Sequence, residues 1–595
     1  MSDARQTPKV GKMRPSSAVS MHGPGSIVDL PELSVIMMGL EHWHPNIDDV
    51  VSEPRLEQFL NVRNLFSPPK PGPNKFGGVP SAVFPEYLVC SDSRCRQLAH
   101  YSKFKEWKTF NSVEFHCDNA SKHPDRKPSA FPARFMVACE KGHVDDFPWQ
   151  KWVHGANQCQ GQLELHDSGN SGTISDIVVK CTTCNQRKPL RGVFNKNAFD
   201  YCGGRMPWIN SSAKENCDRK MRTLLRGASN AYFSSMASAI TIPPWSNPIQ
   251  ADVARYKAQI GQAETLEKLI AGIDGGFYQV QELLEKYTVK QIWDAISSKP
   301  EKEDLKIQEW NALTKKDGHS ALEAGHEFET SPQAIPLGFE GSISQVVAVT
   351  RLREVRALTG FTRIDAAPDL GDEDVSELEI RSAKLTKDPN LNWLPAVDLR
   401  GEGIFIRLSE EGDLGLSAWE RKSEVVAESS RQNDQWIKWR TERDLPPKEF
   451  PGLRYFLVHT LSHVLARQLA LDSGYSSSSI RERLYVRTGD FPMAGILLYT
   501  ASNDSDGSLG GLVDQAKPSR LQDVLIGALR SASLCAQDPL CGGREMTSFA
   551  NLNGSACHSC LLISETSCET GNRMLDRNLL VPTVGSAGLQ YFNAF

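Results

Sequence analysis

No stretch of this 595-residue chain approaches the roughly 18 consecutive apolar residues that a membrane-spanning helix needs. The longest apolar runs are SVIMMGL at 34–40 and AGILLY at 494–499, so no membrane partner is expected. The opening MSDARQTPKVGKMRPSS carries positive charge with no apolar stretch beside it and does not read as a secretory signal. A cytoplasmic, reducing setting follows as the expectation. Also missing is G-x-x-x-x-G-K-[ST], which excludes a P-loop ATPase motor; GPGSIVD and SDGSLGGL are Gly-rich, but without the lysine they read as turns. Neither G-x-S-x-G nor H-E-x-x-H occurs, so the familiar hydrolase signatures are absent and no catalytic residue is assigned. Basic excess is lacking too: 67 Lys+Arg against 72 Asp+Glu give −5, which supplies no global attraction to nucleic acid.

Cysteine is absent from 218 to 534, yet fourteen are present, nine between Cys90 and Cys217 and five between Cys535 and Cys568. Thiols that merely fill cores would scatter through all of them. Reducing compartments rarely keep structural disulfides, so clustering points to metal. Zn²⁺ favours thiolates two to four residues apart, because one tight turn then presents both sulfurs to an edge of a tetrahedron. Cys181-x2-Cys184 and Cys557-x2-Cys560 have that spacing, and Cys90-x4-Cys95 sits at its upper limit. The expected C-terminal site is Cys541, Cys557, Cys560 and Cys568, with Cys535 as the alternative fourth ligand. Two sites are expected N-terminally: Cys90, Cys95, Cys117 and Cys139 in one, Cys181, Cys184, Cys202 and Cys217 in the other. Cys159 is then left over, and His143 is able to replace a sulfur. Four thiolates leave no open position, so such sites fasten loops and hydrolyse nothing.

The chain reads as α+β and multidomain: a cysteine-rich, zinc-fastened N-terminal region, a helical middle, and an α/β C-terminal domain ending in a zinc knuckle. The expected segments are 1–66 with its GPG motif, 67–246 carrying the first cysteines, a helical spacer 247–335, a mixed region 336–450, and 451–595. Pro/Gly-rich SPPKPGPNKFGG at 67–78 and Pro243-Pro244 punctuate the first part. TISDIVVK at 173–180 is strand-like, and the first helical pattern comes at about 214–230. Helical spacing fills 250–316, with Leu266, Leu269, Ile270, Val280, Leu283 and Leu284. Strands are expected at VSELEI and GEGIFIRL, at 484–487 and at 495–501, and helices at 451–471 and about 519–534.

Between Lys180 and Arg226 the charge balance reverses, with eleven Lys/Arg against three acids. Arg187, Lys188, Arg191, Arg219, Lys220 and Arg222 are the candidate phosphate contacts, with Phe194, Phe199, Tyr201 and Trp208 as stacking partners for bases. A solvated surface paired with acids explains the same residues equally well. His459 and His463 share a helical face; helix packing accounts for them more simply than metal binding. They, or the acids at 369–379, are what a metal-dependent nuclease would have to use, and this is the alternative reading. A structural adaptor without DNA contact is the third.

GPGSIVDLPELSVIMMGLEHW, FPARFMVACEKGHVDDFPWQKWVHG, CGGRMPWI, RGASNAYF, RLREVRALTGFTRI, GEGIFIRL, HTLSHVLARQLAL and CHSCLLISETSCETGNRMLDRNLL together resemble DrmB, a component of the DISARM anti-phage system. The resemblance spans nearly the whole chain apart from 250–335. Its C-terminal part is similar to the zinc-binding domain closing certain superfamily 2 DNA helicases. The resemblance implies a non-motor subunit that associates with a DrmA-type helicase-like ATPase and helps it engage DNA; with no catalytic signature in the sequence, no enzyme is expected.

Overall fold

The computed structural model describes residues 9–70, 77–109, 111–124, 126–155, 157, 159–167, 173–195, 198–298, 304–320, 327–364, 382–442, 445–476, 478–502, 511–546, 552–585 and 588–593. VSELEI, the acids at 369–379 and most of SDGSLGGL lie outside them. No helix among the described residues is long and apolar enough to cross a membrane.

Two unusually long strands organise the molecule, Ile343–Thr362 and Trp393–Leu408. The first is rich in β-branched residues and is buried along nearly its whole length. They lie in a seven-stranded sheet of order Phe233–Ile240, Ile343–Thr362, Trp393–Leu408, Met493–Ser502, Ile480–Arg487. Each long strand takes two short partners in tandem along one edge: Glu329–Gln333 precedes Phe233–Ile240 against the first, and Asn64–Phe66 runs parallel to the start of the second. The sheet therefore draws a strand from every one of the five segments read from the sequence. Those boundaries mark changes in composition and do not separate cores, because the strands pair across hundreds of residues.

Helix Gly452–Ser473 lies over this sheet with fourteen buried residues on all sides, and Pro518–Ser533 packs against it. Of the helical segment, Pro248–Ile260, Leu266–Asp274, Gln281–Leu284 and Val289–Ser297 form a core of their own around Ile249, Leu269, Leu283 and Ile292. Leu305–Leu313 behaves differently. It inserts Trp310 and Leu313 among Val347, Phe405 and Tyr485 of the large sheet, so the segment is anchored and is not only a spacer.

The cysteine-rich region is built on a six-stranded sheet of order Arg187–Pro189, Ile177–Cys181, Leu163–Asp167, Gln97–His100, Tyr87–Cys90, Ala130–Pro132, with a three-stranded sheet beside it. The helical pattern at 214–230 is overturned. There Arg222–Leu225 is a strand paired with Phe135–Ala138, because burial of Thr223 and Leu224 against that sheet overrides local preference.

The GPG motif is a turn. Gly25 has φ +84° and donates its N–H to Met37 O at 2.8 Å, and a Cβ there would stand 2.3 Å from Phe361. Fully buried Arg363 holds this turn, donating to Gly25 O at 2.5 Å, to Gly142 O at 2.8 Å and to Ala231 O. One guanidinium thus joins the N-terminal turn, the loop after Cys139 and the 3₁₀ turn Ser229–Ala231 that leads into the strand at 233. Arg363→Ala strands three carbonyls; at about 1–3 kcal/mol for each buried unsatisfied group, a loss of roughly 3 kcal/mol or more is expected in urea unfolding. A midpoint within error of the parent's would refute this role.

Candidate metal centres

Short strands ending in turns bring the thiols together, and they meet in sets that sequence spacing alone does not reveal. Cys90 ends the strand Tyr87–Cys90, and Cys95 lies in the hairpin turn before Gln97–His100. They meet Cys117 and His123, with Cys90 Sγ 3.4 Å from His123 Nε2 and all four residues buried. Asp92 approaches His123 Nδ1 at 3.4 Å, as a carboxylate behind a ligating imidazole does. The turn between Phe135–Ala138 and Val144–Asp146 supplies Cys139 and His143, which meet Cys202 and Cys217. There the Cys139 and Cys217 sulfurs are 3.9 Å apart, and Glu215 sits 2.8 Å behind His143 Nε2. Cys181 ends its strand, and the turn to Cys184 faces His154, at the end of helix Trp149–His154, and Cys159.

The C-terminal knuckle is Cys535, Cys541, Cys557 and Cys560. Its sulfur separations are 3.4 Å for Cys535–Cys557, 3.8 Å for Cys541–Cys560 and 3.7 Å for Cys557–Cys560. A tetrahedron with Zn–S of about 2.3 Å has edges of about 3.8 Å, whereas a disulfide needs about 2.05 Å. The donors fit a tetrahedral ion and not a covalent bond. His154 adds an independent sign: its Nε2 is buried without a hydrogen-bond partner, while Nδ1 meets Gln150 O at 3.1 Å. Burial pushes the Cys557 thiol up, but the Cys535 thiol and the N–H groups of Ser559 and Cys560 bring it down to about 7. Burial also opposes ionisation of Cys181, but the N–H groups of Cys184 and Thr183, together with His154, outweigh it and bring that thiol down to about 6. At these two thiols turn amides favour thiolate, the form a metal binds, whereas burial pushes Cys90 up to about 12 and Cys541 up to about 11.

These sets correct the grouping expected from sequence. Cys568 does not join the knuckle: it lies against His459, His463 and Glu482, and Cys535 takes the fourth place. Cys139 does not complete the Cys90 set, nor do Cys202 and Cys217 complete the Cys181 set. Nine thiols form three sets of three, each with one histidine, so Cys159 is no remainder. His123 and His154 were missed, although Cys117-x5-His123 and His154-x4-Cys159 are visible in the sequence. The pair His459 and His463 is buried, as helix packing requires, and lies against Glu482 and Cys568.

Of the basic residues, Arg187, Lys188 and Arg191 are exposed on the edge strand and the turn after it. Lys188 Nζ stands 4.2 Å from the Trp152 ring. Lys220 is exposed, Arg219 approaches Asp218 at 3.8 Å, and Arg222 pairs with Glu140 at 2.7 Å. Phe194 and Tyr201 are 49% and 66% exposed, as a stacking platform requires. Trp208 is not available for stacking: it is fully buried and donates to Lys384 O at 3.0 Å. Phe199 packs onto Phe147 and Trp152.

Residues 14–233 match a family described as a domain of unknown function (DUF8724), and residues 461–561 match the MrfA Zn-binding domain. The second match contains all four knuckle cysteines. A crystal structure of the DUF1998 helicase MrfA bound to DNA is similar over 36% of this chain and 22% of that one, at 13% identity and TM-score 0.18, too slight a likeness to carry a role across. The DISARM protein DrmB of Bacillus paralicheniformis is 32% identical over 576 residues, covering 94% of this chain and 98% of the relative. With that coverage, and with a C-terminal knuckle inside a Zn-binding domain match, the chain belongs to the DrmB family of DISARM proteins.

Proposed function

We propose that this protein is a non-motor, non-enzymatic subunit of an anti-phage defence complex, fastened by zinc, that associates with a DrmA-type helicase-like ATPase and contacts DNA. The observation that carries the DNA part is the exposed cations Arg187, Lys188 and Arg191, with Phe194 and Tyr201 nearby in sequence and exposed, on an edge strand and loops next to two of the thiol–imidazole sets. Zn²⁺ in such sets would be held by three sulfurs and one imidazole nitrogen and would supply rigidity to loops that have little core of their own. Phosphate contacts are strongest where the cations are held in place, and backbone contact combined with stacking suits a strand opened by a partner. The buried position of His459 and His463, both 0% exposed, weighs against their meeting a substrate.

Co-purification with the helicase-like subunit, followed by salt-dependent DNA titration, tests the reading. Replacing Arg187, Lys188, Arg191 and Lys220 together by Gln is expected to weaken DNA binding by the complex. The slope of log K against log salt should fall by about 0.7–0.9 for each phosphate no longer neutralised. An unchanged slope would favour the adaptor without DNA contact, and Mg²⁺- or Mn²⁺-dependent cleavage of DNA by this chain alone would favour the nuclease.

A further inference from the structure

His459, His463, Glu482 and Cys568 place one donor atom each within 4.8 Å of all the others, and every one of the four is buried. His459 Nε2 is 3.1 Å from Glu482 Oε1 and 3.2 Å from Cys568 Sγ, and His463 Nε2 is 3.6 Å from the same Glu482 oxygen. Donors around a four-coordinate ion with bonds of about 2.0–2.3 Å stand roughly 3.3–3.7 Å apart, so the spacing is that of a tetrahedron's edges.

The outer atoms of both rings are already committed. His459 Nδ1 lies 3.3 Å from Met574 O and His463 Nδ1 lies 3.0 Å from Leu561 O. A carbonyl oxygen only accepts, so both Nδ1 atoms carry hydrogen and both Nε2 atoms turn toward the common point. This backbone bond on the far nitrogen is how ligating histidines are oriented. Ser462 Oγ donates to the second oxygen of Glu482, and Asn572 N–H reaches Cys568 Sγ at 3.2 Å.

A set of hydrogen bonds does not satisfy this group. A proton on His459 Nε2 points at the carboxylate or at the sulfur, not both, and fully buried His463 Nε2 makes no hydrogen bond, the Glu482 oxygen standing 3.6 Å away. Leaving a polar atom unpaired in such a place costs about 1–3 kcal/mol. One cation at the centre engages all four donors together.

We infer that His459, His463, Glu482 and Cys568 form a further metal centre, distinct from the four cysteine-rich sets, that takes a divalent transition ion of the zinc type. Two imidazoles, a carboxylate and a thiolate suit that class better than Mg²⁺ or Ca²⁺, which favour oxygen. The centre ties helix Gly452–Ser473 and strand Ile480–Arg487 to the loop that follows the knuckle, so it fixes the knuckle to the large sheet. A small cavity of about 40 Å³ beside the centre is lined by Glu482 and Cys568 together with Arg481 and Arg483.

The decisive measurement is an anomalous-difference map at the zinc edge on the full-length chain purified without chelator. A peak surrounded by the four side chains is expected; no peak there, whatever the cysteine-rich sets hold, overturns the assignment. Metal counting by mass spectrometry on Glu482→Gln and His463→Ala gives a second reading. Each folded variant should lose one equivalent per chain and keep the rest, and an unchanged count in either would sink the proposal. If both variants fail to fold, the map on the parent protein decides.

Discussion

Replacing Cys560 by serine is expected to remove one metal equivalent per chain and to loosen the last sixty residues. Cys560 is buried, and its sulfur lies 3.7 and 3.8 Å from those of Cys557 and Cys541. The stretch 535–585 contains no long helix or strand among its described residues, only turns and single 3₁₀ turns, so few backbone ladders would hold it without the ion. Apparent binding free energies for structural zinc are about 10–16 kcal/mol in small domains. Even a modest share of that exceeds what a local loop can lose and remain ordered. Metal counting should show the loss, and limited proteolysis should show early cleavage in 535–585. Cys535→Ser should behave in the same way, because Cys535 and not Cys568 closes the knuckle. Retention of the full metal complement in folded Cys535→Ser would refute the grouping. Acid should act in the same direction as these substitutions. Metal binds thiolate and neutral imidazole, so protons compete with it, and retention is expected to fall as pH drops.

Glu309→Ala is expected to be the most destabilising single change in the helical segment, by about 3–5 kcal/mol. The carboxylate is fully buried. Oε2 accepts from Arg483 Nε at 2.6 Å and from the Tyr485 hydroxyl at 2.9 Å, and Oε1 accepts from Arg483 Nη2 at 3.0 Å and from Ile240 N–H at 2.8 Å. Removing it leaves the Arg483 guanidinium, itself buried, with its main counter-charge gone. Breaking a buried pair on one side costs more than removing both members, so Glu309→Leu combined with Arg483→Met should recover a large part of the loss. An exposed pair such as Lys268–Glu264 serves as the contrast, at about 0–1 kcal/mol. Equilibrium urea unfolding measures each of these variants. If Glu309→Ala shifts the midpoint no more than Lys268→Ala, the helix at 305–313 does not anchor the middle segment as its geometry requires.

What could be read without coordinates was what lies within a few residues along the chain. Cys181-x2-Cys184 and Cys557-x2-Cys560 each belong to one set, as their spacing requires, because a single turn fixes both sulfurs regardless of what surrounds it. The helices expected at 451–471 and about 519–534 fall on Gly452–Ser473 and Pro518–Ser533, and the strands expected at 484–487 and 495–501 fall inside Ile480–Arg487 and Met493–Ser502, because their apolar residues follow one another closely along the chain. Which donors fall into one set was not legible. Cys139 and Cys217, or His459 and Cys568, meet only because antiparallel strands and a buried helix bring together residues 78 and 109 positions apart. Chain separation carries no signal for that. Glu482 was hidden for another reason: in IRERLYVR it looks like an outward-facing charge between two arginines, and only burial between helix and sheet turns its carboxylate inward. Local spacing thus dictated where thiolates come in pairs. Long-range strand pairing decided how the pairs are completed, which charges are buried, and which basic residues remain in water.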